Sequence, residues 1–75
     1  MGKKYPVLKD RDVVTILEHL DFVEIRQRGS HKQYRHVDGR ATTVLFHSGA
    51  DISPILLRQI AKDIGLTIDE LLENR

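Results

Sequence analysis

The sequence contains no cysteine, no tryptophan and only two prolines. Without cysteine, the chain forms neither disulfides nor thiolate metal sites, which is consistent with a reducing cytosol. No apolar run approaches the roughly 20 residues that a membrane-spanning helix needs. The N-terminal stretch MGKKYPVL also lacks the hydrophobic region of a signal peptide. We therefore expect a cytoplasmic protein with no membrane partner.

A strong excess of charge is also absent, because the formal net charge is +1 over 75 residues. Any affinity for nucleic acid must then come from how the charges are distributed and not from their sum. A chain of this length buries only about 60% of its unfolded surface, which allows one modest core and no large substrate pocket. We expect a single domain over residues 1–75 that holds its substrate on a surface or in a shallow groove.

The N-terminal part predicts a short extended segment and then a helix. Pro6 disfavours helix at the preceding residue, so residues 1–8 are expected to be extended. The stretch DRDVVTILEHL has an apolar stripe at helical spacing and predicts a helix over residues 10–20. Asp10 and Asp12 stand at its start, where carboxylates suit the helix dipole.

The middle of the chain predicts three strands in succession. FVEIRQR, HKQYRH and ATTVLF, at residues 22–28, 31–36 and 41–46, have strand-like composition. Gly29-Ser30 separates the first two strands, and Asp38-Gly39 is a strong hairpin signal between the second and third. Consecutive strands joined by tight turns indicate an antiparallel meander.

The C-terminal part predicts two more helices. Ser53 is a suitable N-cap with Pro54 at the first helical position, and Gly65 supplies a C-terminal stop. Thr67 and Glu70 form a capping-box pattern that opens a short final helix. The expected fold class is α+β, with the order α-β-β-β-α, a three-stranded antiparallel sheet and the helices on one face.

The stretch RQRGSHKQYRHVDGR, residues 26–40, places His31 directly after Gly29-Ser30 and among several cations. Strand alternation adds a constraint. If Tyr34 points into the core, Ser30, Lys32 and His36 share its side. His31, Gln33 and Arg35 then lie on the open face of the sheet, unless a bulge near Gly29 reverses the order.

These segments together resemble the HicA-type mRNA interferase toxins, also called the YcfA-like family. The resemblance lies in FVEIRQRGSHKQYRHVDGR at 22–40, in the histidine of VLFHSG at position 47, and in ISPILLRQIAKDIGLTIDELL at 52–72. The chain departs from the usual pattern at Asp21, where the family usually has glycine. The resemblance implies a double-stranded-RNA-binding-domain-like fold, a ribonuclease that cleaves mRNA, and inhibition by a partner antitoxin of the HicB type. It places the single catalytic histidine of the Gly-Ser-His motif at His31.

RNA is cut without metal when its 2′-hydroxyl attacks the adjacent phosphorus, which requires a base, an acid and cations for the phosphate charge. Histidine serves as either acid or base because its ordinary pKa is near 6.5. We predict that Arg28 and Lys32 grip the phosphate, and His47 is a candidate for a second acid or a phosphate ligand. The residues expected to contact RNA are Arg28, Ser30, Lys32, Arg35 and His47.

Parts of the sequence also fit four other interpretations. By spacing alone, His31 is more often a polar residue at a hairpin rim than a catalyst, and His19 and His36 are expected to face solvent. None of the histidines has the HExxH or His-x₃-His spacing of a zinc site, so no metal and no cofactor is expected. The basic hairpin also suits an RNA-binding module that does not cleave. The last two helices imitate a helix-turn-helix, but acidic residues at 69, 70 and 73 oppose DNA binding.

Overall fold

A computed structural model of the chain describes residues 7–75. Six elements follow one another: α1 (Asp10–His19), β1 (Val23–Arg28), β2 (His31–Arg35), β3 (Ala41–Leu45), α2 (Pro54–Ile64) and α3 (Ile68–Leu72). The strands form one antiparallel sheet in the order β1-β2-β3. The expected α+β fold class is therefore confirmed, and α1 and the three strands end within about one residue of their predicted bounds. The extended lead-in lies mostly outside the described residues.

Helices α1 and α2 pack on the same face of the sheet and share one core with it. Their apolar stripes contribute fully buried side chains such as Ile16 and Ile64, which meet Tyr34 and Val44 from the sheet. Both helices lie chiefly against β3. Within residues 7–75, no helix has the length and apolarity to cross a bilayer.

The ends of α2 and α3 follow the signals in the sequence. The Ser53 hydroxyl accepts a hydrogen bond from the Leu56 N–H at 3.2 Å, which caps α2. Gly65 ends α2 with a φ of +74°, in the left-handed region that favours glycine. Thr67 and Glu70 form the predicted reciprocal capping box of α3. Helix α3 is five residues long and acidic in its first turn, which is unsuited to a DNA recognition helix.

Strand β1 is the least covered part of the sheet. All six of its residues are exposed, whereas β3 alternates between exposed and buried positions. A register shift between Glu24 and Arg26 marks a bulge, with Ile25 as the extra residue. Since the bulge lies in β1 and not near Gly29, it leaves the facing of β2 unchanged.

Two turns explain residue choices around the first hairpin. Asp21, at the turn into β1, has a φ of +68°. This left-handed conformation costs least for glycine, and aspartate is among the other residues that tolerate it. Gly29 has a φ of +55° and precedes Ser30 in the two-residue loop between β1 and β2. Glycine at the first loop position is what a type II′ hairpin turn requires.

Candidate functional site on the open sheet face

The face of the sheet away from the helices carries His31. Tyr34 is 1% exposed and Val44 is fully buried, so residues in register with them point toward the helices. His31 and Arg35 occupy the alternate positions of β2 and are exposed on the opposite side. The predicted facing of β2 is thus confirmed, and we call this side the open face.

His31 lies at one end of the open face, beside the tight turn. Its cross-strand partners are Arg28 in β1 and Leu45 in β3. A Cβ atom built on Gly29 would meet no atom within 4 Å, so the turn next to His31 is sterically open. A polymer backbone can therefore approach the imidazole and the Arg28 guanidinium together.

Three arginines share this face. Arg26 pairs in register with Gln33, Arg28 with His31, and Arg35 with Val23, so their side chains lie on the same side of the sheet. All three arginines are exposed. Glu24, the acidic residue of β1, is opposite Tyr34 and points toward the helices. The open face of the strands is consequently cationic although the whole chain has a net charge of only +1.

Lys32 is separate from this group. It occupies the helix-facing side of β2, where its Nζ lies 3.7 Å from a Glu24 carboxylate oxygen and 3.9 Å from the centroid of the Phe46 ring. The pKa of the neighbouring Tyr34 is raised to about 12, mainly because the phenol is buried and to a lesser extent because the Glu24 charge is close. The structure therefore brings Arg28, Arg35 and His31 onto one face and leaves Lys32 on the other.

Two further members of the basic stretch take part in the turn after β2. The main-chain N–H and guanidinium of Arg40 donate to the Asp38 carboxylate at 3.0 and 2.8 Å. The main-chain bond, and then the guanidinium, lower the pKa of Asp38. Arg40 also donates to the Ile64 carbonyl at the end of α2, and the His36 ring packs 5.1 Å from the Phe22 ring. These contacts make Arg40 and His36 structural.

Ser30 and His47 belong to the loops on either side of the His31 end of the sheet. The Ser30 carbonyl accepts a hydrogen bond from the Phe46 N–H at 2.6 Å, which ties the β1–β2 turn to the segment after β3. His47 follows immediately and is exposed. The two candidate loops thus meet at the end of the sheet where His31 lies.

Asp10 lies in the first turn of α1 as predicted and has a second role that the sequence does not predict. Its carboxylate is fully buried and accepts hydrogen bonds from the main-chain N–H groups of His47 at 2.7 Å and Gly49 at 3.0 Å. Its own main-chain N–H donates to the Ala50 carbonyl at 2.9 Å. Burial alone raises the pKa of Asp10, but the hydrogen bonds outweigh it and the net pKa is lowered. An aspartate expected only to suit a helix dipole therefore holds the loop that carries His47.

The loop around Asp10 has the geometry of an anion-binding turn. Ser48 and Gly49 both have positive φ values, +43° and +94°. Such successive turns direct N–H groups into a concavity, which here is filled by the protein's own carboxylate. Within residues 7–75, no group of three or more histidine and acidic side chains is placed to hold a metal ion.

Comparison with known proteins identifies the family to which the chain belongs. The sequence matches the family described as HicA toxin of bacterial toxin–antitoxin over residues 11–66, which is well over half of the 75 residues. The chain belongs to the HicA toxin family. The match includes β1, β2 and β3, and therefore His31 and the three arginines of the open face. A search of curated proteins finds no match. Membership in this family makes the chain a toxin that is paired with an antitoxin.

Proposed function

We propose that this HicA-family chain is a metal-independent endoribonuclease that cleaves mRNA in the cytoplasm through His31. The observation that carries the proposal is the position of His31, exposed on the open face directly opposite Arg28 and beside a sterically open turn. A flat, cationic surface suits an extended polymer better than a small molecule, because small ligands need an enclosing pocket.

In the proposed reaction, a 2′-hydroxyl of the RNA attacks the adjacent phosphorus. The new 2′-O–P bond forms as the P–O5′ bond breaks, which leaves a 2′,3′-cyclic phosphate and a free 5′-hydroxyl. His31 takes the proton of the attacking hydroxyl or gives one to the departing 5′-oxygen, and one such proton transfer contributes about 10²–10⁴-fold in rate. His47 is the candidate for the complementary transfer, because its loop lies at the same end of the sheet.

Phosphate binding falls to the guanidinium groups of the open face. Arg28 lies closest in register to His31 and is suited to a bidentate contact with the scissile phosphate. Arg35 lies four residues after His31 in β2, which corresponds to about 13 Å at the usual rise per residue. This spacing matches the binding of a second phosphate farther along the same RNA strand. The Ser30 hydroxyl is a candidate contact at the turn, and Lys32 contributes least because of its place on the helix side.

The test uses purified protein, single-stranded RNA and excess EDTA. Wild type should cleave and leave cyclic phosphate ends, and RNA with 2′-deoxy sugars should resist. His31→Ala should reduce the rate at least about 100-fold while its circular dichroism and melting temperature are unchanged. The matched control is His19→Ala, which removes a histidine at the end of α1.

Three results would count against this assignment. Full activity in His31→Ala removes the catalytic role of His31, and loss of activity in EDTA removes metal independence. Binding of RNA without cleavage by wild type favours the alternative function, an RNA-binding module that acts without catalysis, for which the same three arginines are sufficient.

The antitoxin is proposed to be of the HicB type and to inhibit by covering His31. The chain offers no segment of its own that folds over the open face among the described residues, since its helices all pack on the other side. Carboxylates on the partner would form ion pairs with Arg28 and Arg35 and compete directly with RNA phosphates for them.

A further inference from the structure

At the second end of the open face, the proposed cleavage uses Arg35 but none of the aliphatic side chains beside it. Val23, Ile25 and Val37 are 63%, 56% and 93% exposed. Together with Asp21, Arg35 and His36 they line a shallow groove of about 300 Å³ at the end of the sheet opposite the Gly29 turn. We call Val23, Ile25 and Val37 the aliphatic end.

These side chains have no structural role that accounts for their hydrophobicity. Val23 and Ile25 come from β1, which the helices leave uncovered, and Ile25 is the extra residue of the bulge. Threonine would suit a strand as well while exposing less apolar surface. Clustered exposed aliphatic side chains bordered by charge are characteristic of an interaction surface.

RNA is a poor occupant for the aliphatic end. Proteins hold single-stranded bases mainly by stacking them on aromatic rings. Among residues 7–75, the rings of Phe22 and Tyr34 are buried, and Phe46 lies against Lys32 on the helix side. The His36 ring borders the groove, but it is only 19% exposed and packs against Phe22. Valine and isoleucine bind neither phosphate nor ribose, so they do not contribute to the proposed RNA contact.

A second copy of the chain is also disfavoured. Two copies joined through their open faces would bring together Arg26, Arg28 and Arg35 from each chain, and these three positive charges exceed the one carboxylate of the groove lining, Asp21. Repeated like charges at an interface are unfavourable. The complementary occupant has aliphatic side chains flanked by carboxylates.

We propose that the aliphatic end is the anchoring site of the antitoxin, which inserts aliphatic side chains between Val23, Ile25 and Val37 and presents carboxylates to Arg35 and Arg26. This inference rests on the proposed function only in identifying the partner as an inhibitor. Anchoring and inhibition are then carried by different residues: the aliphatic end supplies affinity, and the body of the partner covers His31.

The size of a protein interface makes this arrangement sufficient for inhibition. A stable interface covers about 800 Å² on each partner, which corresponds to a patch roughly 30 Å across. His31 is only about 13 Å along β2 from Arg35, and the whole molecule measures 39 × 27 × 17 Å. A protein centred on the aliphatic end therefore extends over His31 without any specific contact to the imidazole.

The experiment compares the double variant Val23→Thr/Ile25→Thr with wild type. The probe is the purified product of the reading frame adjacent to this one, and binding is measured by calorimetry separately from RNA cleavage. Threonine keeps the shape and strand preference of valine, so folding should be retained. Each lost aliphatic contact should weaken binding roughly tenfold. The matched control is Ile55→Thr, an equally aliphatic and 77% exposed site on the helix layer.

The expected result is weakened partner binding and loss of inhibition in the double variant, with cleavage of free RNA unchanged and Ile55→Thr behaving as wild type. Wild-type affinity in the double variant, or no binding of the probe to wild type, overturns the proposal. Loss of RNA cleavage in the double variant would assign the surface to RNA instead. Self-association of wild type that the double variant abolishes would assign it to a second copy. If wild type binds the probe through this surface but cleaves no RNA, the ribonuclease proposal fails and the anchoring site stands.

Discussion

The two outer strands of the sheet, β1 and β3, are similar in length, but β1 is exposed to solvent and β3 is partly buried under the helices. Strand β3 lies under both long helices, and its Thr42 and Val44 are buried. Strand β1 has no buried residue and carries two arginines and two exposed aliphatic side chains on the open face. Packing against the helices stabilises β3, whereas β1 is held in the sheet mainly by its hydrogen bonds to β2.

This difference separates stability from function along the sheet. A 75-residue chain has a free energy of unfolding of only about 4–11 kcal/mol, and its limited core is concentrated around β3. Residues of β1 are consequently free to serve binding, because changing them costs little packing. Strand β2 belongs to both regions, since Tyr34 enters the core and His31 faces the surface.

The contrast between the outer strands is tested most strongly by one substitution made on each. Val44→Ala should lower the free energy of unfolding by about 3 kcal/mol, because it removes buried methyl groups and leaves a cavity. For a domain of this size, that corresponds to a fall in melting temperature of roughly 12–24 °C. Val23→Ala should change the free energy of unfolding by less than about 0.5 kcal/mol. Urea titrations of both variants supply the measurement, and comparable losses would mean that β1 is packed as tightly as β3.

Much of the fold was accessible from the sequence because its signals are local. Apolar periodicity, Ser53-Pro54, Gly65 and Asp38-Gly39 each fix an element or a turn within a few residues. The sequence did not predict that β1 would be left uncovered by the helices. Val23 and Ile25 alternate as half-buried strand residues do, and only the position of the helices over β3 leaves them in solvent.

The Asp10 carboxylate links the helix layer to the His47 loop. Asp10→Asn should lower the free energy of unfolding by about 2 kcal/mol, because an amide presents an N–H where the carboxylate accepted a bond from His47 or Gly49. The pKa of Asp10 is lowered in the folded state, so its contribution is present above the unfolded value of about 3.9 and is lost as the pH falls through the folded pKa.

The pH dependence distinguishes this role from simple packing. The difference in unfolding free energy between wild type and Asp10→Asn should be full at pH 6 and shrink as the pH falls below about 4. Asp51→Asn is a suitable control, because Asp51 forms an exposed ion pair with Lys9 at 3.1 Å, and such pairs contribute at most about 1 kcal/mol. A difference that is constant from pH 6 to pH 3 would show that the charge of Asp10 does not stabilise the loop.

The candidate site was predictable only in part. Alternation placed His31 and Arg35 on one face, and the Gly-Ser-His pattern with the family resemblance identified His31 as the residue to test. Asp10 was missed because its partners are main-chain N–H groups 37 and 39 residues away, which no local pattern shows. The expected grouping of Lys32 with Arg28 followed from charge alone, and strand alternation places them on opposite sides.

The smallest expected effect separates the cations of the two faces by the salt dependence of RNA binding. Arg28→Gln and Arg35→Gln should each reduce the slope of log K against log salt by roughly 0.7, the value for one phosphate contact with a single strand. Lys32→Gln should leave the slope unchanged, because its ammonium is already engaged by Glu24 and Phe46 on the helix side. Each of the three substitutions removes one positive charge, so a general electrostatic effect would alter the three slopes equally. Filter binding of a catalytically inactive His31→Ala background between about 50 and 200 mM salt supplies the slopes. An equal loss for Lys32→Gln would show that RNA reaches both faces of the hairpin, and unchanged slopes for both arginine variants would reduce the open face to a solvated surface.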